Sequence, residues 1–565
     1  MRGELDITIK IKMVNLIKQK VSIEHLLPSH RFVPDYLRAV SRRLFTSENN
    51  TQIPDFAMLR SITKEASTNI IADVYEEITM PGEANRIWKT REKKQYPNRR
   101  SYEYEALVLR WLQERHAPVP ALIALLVDIT KKDDIRKELA QYFKDHPQAL
   151  EVAIERSPEK EGIVMRRLRE PRHDLDLAYF AGKLHSRKID PSEKEKFGKL
   201  LYKISATALE SIVSVTMIGN RYQKVDLENT GFKFFDPLEE DPEYYQHEIS
   251  KNIERIIVAN LIEQGAMNND EDEISSYKLP AELEERIKKV FAPVVKHLTY
   301  KRLRGFVHGE TQPFHLAMHE SPDRRGQAWH GYHLFDFDKS RIDNVILDLV
   351  RYINNPIATL PASKRKNLFF GAVIHAVKLL AELREQEPLP SKYDLPLDLN
   401  LSKPVREKLQ KFSLANVEKI SSFDDCISRQ AADSLMKMKD YLSLFTYIEL
   451  AGRGSKTGYG KEQHKYADLH KRVDSYHNSF LMDGKELGIV EFGRFYEPDY
   501  LRRYCAREIH SLLDRMITNN RKTLGYELSG SEVEELKSMK RFFEELKIGY
   551  KGSEVPVEYF HKAAK

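Results

Sequence analysis

The sequence predicts an α+β fold: a small antiparallel sheet with one helix, then a larger helical region, with helical additions at both ends. Three observations carry this. First, "MLRSIT", "NIIADVYEEIT" and "ANRIWKTRE" follow one another from Met58, rich in Ile, Val, Tyr and Thr, and read as successive antiparallel strands. Second, beyond Pro171 the apolar residues recur mostly at helical spacing. Third, strand character returns there only briefly, at "GFVHG" and "GYHLFDFD".

Taken in order, residues 1–55 form an N-terminal helical extension containing "HLLPSHRFVPDYLRAVSRRLF". Residues 56–168 form a first lobe, its three strands separated by "KEAST" and "MPGE". "SYEYEALVLRWLQERH" is helical in period and stops at Pro118. "VPALIALLVD" and "EGIVMRRL" supply two further strands, divided by a charged helical insertion over residues 133–146. Residues 169–390 form the helical lobe, with "DLDLAYFAGKLHSR", "EISKNIERIIVANLIEQGA", "VILDLVRYI" and "KNLFFGAVIHAVKLLAELREQ". The proline-rich "EPLPSKYDLPLDLNLSKP" marks a boundary, and residues 391–565 form a C-terminal helical domain.

A chain of 565 residues exceeds what one hydrophobic core serves, so several domains are expected. With 41% hydrophobic and 31% charged residues it has material for a sizeable core and a well-charged surface. Its net charge of +6 is weak evidence for a nucleic-acid partner. The basic clusters "KTREKKQYPNRR" and "RRLREPR" suit a solvated surface or an acidic small substrate as easily as RNA. Cys426 and Cys505 are the only cysteines, which excludes a disulfide framework or structural zinc as organising principles. "MRGELDITIKIKMVNLIKQK" has neither a long apolar run nor a small-residue cleavage site. No signal peptide or membrane association is expected, and the chain is read as cytoplasmic.

Four stretches carry candidate chemistry. Lys89 ends the third strand, and Glu105 lies on the helix after it; by themselves they read as a surface lysine and a helix-face glutamate. "FVHGETQPFH" contains His308, Gly309, Glu310, Pro313 and His315, a turn, a metal site or a phosphotransferase loop. As a metal site it would begin a facial triad closed by His330 or His333, but that chemistry needs a β-rich barrel and the flanks are helical. In "YHLFDFDKSRIDNVILDLVRYI", Asp336 and Asp338 occupy alternate strand positions and face one side, an arrangement that invites a cation between them. "AGRGSKTGYGKE" lacks the spacing of a phosphate loop and reads as a flexible basic loop.

The order of these marks resembles the protein-kinase-like fold, two-lobed, in its aminoglycoside phosphotransferase and choline kinase branch. The resemblance covers Met58 to Leu383. It implies that Lys89, paired with Glu105, holds the phosphates of ATP. Ser67, Thr68 and Asn69 would form the turn over those phosphates, although "EASTN" has no glycine, and Met165 would border the adenine. The family's catalytic loop reads His-Gly-Asp, two residues, Pro, one residue, Asn. His308 would brace that loop, Glu310 stands where the aspartate orients the attacking hydroxyl, and His315 stands where the asparagine binds metal.

Both substitutions bear on chemistry. Glutamate moves the carboxylate out by one methylene, and histidine offers nitrogen where Mg²⁺ prefers oxygen. Asp336 would be the Mg²⁺ ligand, with Asp338 beside it and Mn²⁺ as the substitute ion, and Asp348 would tie its helix to the loop. The implied function is ATP-dependent phosphoryl transfer to a hydroxyl of a small molecule. The alternative is a pseudokinase that binds a nucleotide or a macromolecular partner. The C-terminal domain would cap the helical lobe, contact a macromolecule or form a homodimer.

Overall fold

A computed structural model describes residues 58–61, 73–78, 86–92, 102–126, 160–166, 168–172, 177, 190–230, 234–319, 331–355, 360, 362–386, 402–414, 428–460, 463, 498–518, 524 and 526–546. The N-terminal extension, the insertion at 133–146 and almost all of "DLDLAYFAGKLHSR" lie outside these residues. The chain divides into two compact units, Met1–Gln113 with Pro120–Arg167, and Glu114–Val119 with Leu168–Lys565.

In the first unit the three expected strands are β1 (Met58–Ser61), β2 (Asp73–Ile78) and β3 (Arg86–Glu92). Helix α1 (Tyr102–Glu114) follows, then β4 (Leu122–Leu126) and β5 (Lys160–Arg166). All pair antiparallel in the order β1-β2-β3-β5-β4, so β3 is central and is held on both sides. The apolar stripe of α1 (Ala106, Val108, Leu109, Trp111, Leu112) is buried, as its period requires. Gln113 Oε1 accepts from the Leu122 amide at 3.1 Å, tying the end of the helix to the start of β4.

The second unit is mainly helical. Strand β6 (Arg169–Arg172) precedes α2 (Pro191–Thr230), α3 (Tyr244–Glu263) and α4 (Ala281–Leu298). Helix α2 is long and apolar enough to cross a membrane by composition. Its hydrophobicity is used internally, however: Leu201, Ala206, Leu209, Ile212, Val213 and Val215 are all buried. Four short strands follow: β7 (Arg304–Val307), β8 (Leu316–His319), β9 (Gly331–Leu334) and β10 (Arg341–Asn344). β7 pairs with β10, while β6, β8 and β9 form a separate three-stranded sheet. β6, β8 and β10 were not expected from the sequence; at four residues each they are too short to show a period.

Strand β7 lies directly on α2. A Cβ at Gly305 would overlap the Asn220 side chain, whose Nδ2 donates to Phe306 O at 2.9 Å and Thr216 O at 2.7 Å. Only glycine allows that approach.

Helices α5 (Leu347–Ile353) and α6 (Ala362–Gln386) follow β10. The expected domain boundary near residue 390 falls outside the described residues. Past it, α7 (Arg429–Thr457), α8 (Pro498–Thr518) and α9 (Gly530–Glu545) belong to the second unit. α7 begins at Ser428, whose side chain accepts from the Ala431 amide, and packs on α3, with Phe445 edge-on to Tyr245 at 5.9 Å. Near its far end Gly452 touches α3, where a Cβ would overlap Asn252. The flexible loop expected at "AGRGSKTGYGKE" is therefore incorrect over its first half. Residues through Thr457 are helical, and the glycine at 452 permits close helix packing.

Candidate functional site

In the first unit Lys89 leaves the central strand β3 and its Nζ meets both carboxylate oxygens of Glu105, at 3.1 and 2.9 Å. Glu105 is fully buried and Lys89 is 16% exposed. A carboxylate so buried is stable as an anion only with its partner in place. Met165 lies buried on β5, opposite Ile87 and Leu122. Ser67, Thr68 and Asn69 lie outside the described residues.

In the second unit the loop after β7 is fixed from three directions. Asp348, fully buried on α5, accepts from two consecutive backbone amides, His308 N at 2.6 Å and Gly309 N at 3.1 Å. Gly309 has φ +85, and a Cβ there would overlap the Lys339 carbonyl, so the position needs glycine. The third tie is His308, whose Nε2 donates to Phe335 O at 2.8 Å. Its Nδ1 faces the Glu310 amide at 3.4 Å, a long contact. Burial pushes the His308 pKa down to about 4, so the ring is neutral near pH 7, with its proton on Nε2. It braces the loop against the segment that leads into Asp336.

Glu310 points into a row of charges from α5 and α7. Arg453 Nη1 donates to Glu310 Oε1, and Arg453 Nη2 reaches Glu449 Oε1 at 3.1 Å. Glu449 also grips Arg351, Nε to Oε2 at 3.0 Å and Nη2 to Oε1 at 3.3 Å. Arg351 Nη1 in turn donates to Gly309 O at 2.7 Å. Burial alone would raise the Glu310 pKa; Arg453, then His315 and Lys339, outweigh it and bring the value down to about 2. Glu310 is therefore an anion throughout the neutral range.

His315 links the two halves of this site. Its Nδ1 donates to the Glu310 carbonyl at 2.6 Å, which turns Nε2 toward Asp336 Oδ2 at 3.3 Å. Asp336 adopts a left-handed backbone, φ 70 and ψ 59, a conformation costly for a non-glycine residue and concentrated at functional sites. This corrects the sequence expectation for the two aspartates. β9 ends at Leu334, and the left-handed residue breaks the two-residue alternation, so Asp336 and Asp338 do not share a strand face. Asp338 instead approaches Lys339, Oδ2 to Nζ at 3.8 Å.

For a divalent cation the fitting donors are Asp336 and His315. An oxygen and a nitrogen 3.3 Å apart can be neighbouring ligands of a cation bound at about 2.0–2.2 Å. Among the described residues no group of three His, Cys, Asp or Glu converges as a metal site, which removes the facial-triad reading from them. Mg²⁺ is usually held by one or two carboxylates with water and phosphate oxygens, so Asp336 fits it, while the His315 nitrogen is a donor Mg²⁺ takes less readily.

Sequence reasoning missed Arg351, Glu449 and Arg453. One signal was available: Glu449 and Arg453 stand four apart with glutamate first, the favourable order for a helical ion pair. Extended through the glycines, that spacing would have kept the helix going.

Neither a family model nor a curated protein matches the chain. Among solved structures it is similar to a choline kinase from Cryptosporidium parvum, 11% identical, over 80% of this chain and 95% of that one, with a TM-score of 0.34. It is also similar to an ethanolamine kinase from Plasmodium vivax, 9% identical, over 76% of this chain and 85% of that one, with a TM-score of 0.34. Scores this low decide neither fold nor activity.

Proposed function

We propose that the chain is an ATP-dependent phosphotransferase acting on a hydroxyl of a small molecule. The observation that supports this best is the double hold of Asp348 on the His308 and Gly309 amides. That hold fixes a loop whose next side chain, Glu310, stays ionised and whose His315 faces Asp336. In this reading Glu310 accepts a hydrogen bond from the acceptor hydroxyl and aims its oxygen at the phosphorus. With a pKa of about 2 it orients the hydroxyl and is a weak proton acceptor, which suits phosphoryl transfer, where positioning and electrostatics dominate. Asp336 and His315 would hold the divalent cation, Mg²⁺ or Mn²⁺. The bound cation supplies charge neutralisation for the phosphates. Lys89, steadied by Glu105, binds phosphate oxygens of ATP, and Met165 borders the adenine.

A second reading, a pseudokinase that binds nucleotide without transfer, is favoured by one observation: Arg453 already occupies one Glu310 oxygen. Thermal shift with ATP plus Mg²⁺ or Mn²⁺ separates these possibilities. The expected result is a metal-dependent stabilisation of the wild type that disappears in Asp336→Asn, with ATP consumption over a panel of alcohols lost in Glu310→Gln. A shift without consumption selects the second reading, and no metal-dependent shift refutes the phosphotransferase and favours a pseudokinase that binds a macromolecular partner instead.

A further inference from the structure

Glu310 carries its carboxylate at the end of three rotatable bonds, and such a side chain left alone samples many positions. A group that orients a hydroxyl for transfer has to be held to within about 0.5 Å. Two donors supply that hold, and both meet the same oxygen. Arg453 Nη1 donates to Glu310 Oε1 from α7, and Gln312 Nε2 donates to Oε1 from the loop itself at 3.3 Å. Gln312 is fixed in turn, because its carbonyl accepts from the His315 amide at 3.0 Å. Among the described residues the other oxygen, Oε2, has no hydrogen-bond partner, and the side chain keeps 13% of its surface exposed. One oxygen of the carboxylate is held and the other is left for a ligand.

The hold on Oε1 closes on itself. Arg453 Nη2 donates to Glu449 Oε1 at 3.1 Å, and Arg351 grips both oxygens of Glu449 at 3.0 and 3.3 Å. Arg351 Nη1 then donates to Gly309 O at 2.7 Å, one residue before Glu310. The circuit leaves from the Glu310 side chain and returns to the neighbouring backbone, so it pins the carboxylate relative to its own loop. Charges alternate in sign around it, and its inner pair, Arg351 and Glu449, is nearly buried, where salt screens little. Arg453 is engaged at both ends of its guanidinium, so it acts on Glu310 and not on the acceptor.

We infer that Arg453 and Gln312 are positioning residues, holding Oε1 of Glu310 so that Oε2 receives the acceptor hydroxyl. The inference rests on the phosphotransfer reading and specifies how its hydroxyl-orienting group is aimed. On this account the contact between Arg453 and Glu310 serves transfer and does not block it. Glu449 and Arg351 act one step further back, by fixing Arg453.

The test measures kcat and KM of the full chain with ATP, Mn²⁺ or Mg²⁺, and glycerol, ethanolamine or water as acceptor. Arg453→Met should lower kcat on the order of 100-fold, as for a reacting group displaced by about 1 Å, with KM for ATP and the metal-dependent ATP shift unchanged. Gln312→Leu should lower kcat roughly 10-fold, the worth of one hydrogen bond. Arg453→Lys, which keeps a donor on the same side, should recover part of the loss. The sharpest readout is non-additivity. In the Glu310→Asp background, whose carboxylate falls one methylene short of Arg453, adding Arg453→Met should change kcat by no more than about 2-fold, the scatter of uncoupled sites. An equal loss in both backgrounds makes Arg453 a packing residue and overturns the inference. An unchanged kcat in Arg453→Met overturns it too, and a raised kcat marks the contact as a brake. Should Arg453→Met fail to fold, Gln312→Leu and Glu449→Gln carry the same test, since each loosens the hold without removing Arg453; a kcat unchanged in both overturns the inference. These outcomes strike the inference alone. A wild type that consumes no ATP with any of the three acceptors ends the phosphotransfer reading and the inference with it.

Discussion

Replacing Asp348 by Asn changes no volume and removes one charge, and the structure allows its cost to be worked out. The carboxylate is fully buried and accepts from His308 N at 2.6 Å and Gly309 N at 3.1 Å, one oxygen to each. Hydrogen bonds to a charged group contribute about 1.5–3 kcal/mol each. Asparagine keeps one acceptor oxygen but turns an NH₂ group toward the other amide, so one charged bond is lost and two donors face each other in a buried place. The net loss is about 3 kcal/mol, which raises the population of the opened loop roughly 150-fold. Amide exchange followed by mass spectrometry reads this directly in peptides spanning residues 304–312. Exchange there should accelerate by that factor in Asp348→Asn, while peptides from α9, capped independently by Ser529 and Glu532, should exchange as in the wild type. Unaltered exchange at His308 and Gly309 would refute the claim that Asp348 fixes the loop. Equal acceleration throughout the second unit would show that the residue matters for general packing instead.

Two further outcomes follow from the ion pairs. Lys89→Met strands the buried Glu105 carboxylate and should destabilise the first unit by about 3–5 kcal/mol; adding Glu105→Leu should restore the melting temperature but not the ATP-induced shift. Recovery of both would remove Lys89 from nucleotide binding. For Glu310 the folded pKa of about 2 lies below the ordinary 4.5, so its contribution to stability is present above pH 4.5 and is lost as pH falls toward 2. The melting-temperature gap between wild type and Glu310→Gln should accordingly narrow between pH 5 and pH 2.5, and a gap that stays constant over that range contradicts the pairing with Arg453.

The parts of this protein that were readable in advance are those with local causes. β-Branched and aromatic runs divided by turn residues gave β2 and β3, and the apolar stripe of α1 showed its helix. The pairing of Lys89 with Glu105 was implied by resemblance and is present in the structure. The same holds for the tie from Asp348 to the loop. The expected shared face for Asp336 and Asp338 failed because one left-handed residue ended the strand period, a backbone choice made by the surrounding loop. The reading of "AGRGSKTGYGKE" failed because glycine signals a loop locally, whereas here it marks where one helix must approach another.

The amino-acid order by itself showed the elements with a clear local period, such as β2, β3 and α1, and it concentrated histidine and carboxylate in the short stretches around Glu310 and Asp336. Only the tertiary structure decided the electrostatic state of Glu310. Its partner Arg453, held in turn by Glu449, lies about 140 residues away on α7 and reaches it because that helix docks on α3 and α5. Charge at a site depends on distances through space, and a linear sequence carries no record of those until the chain has packed.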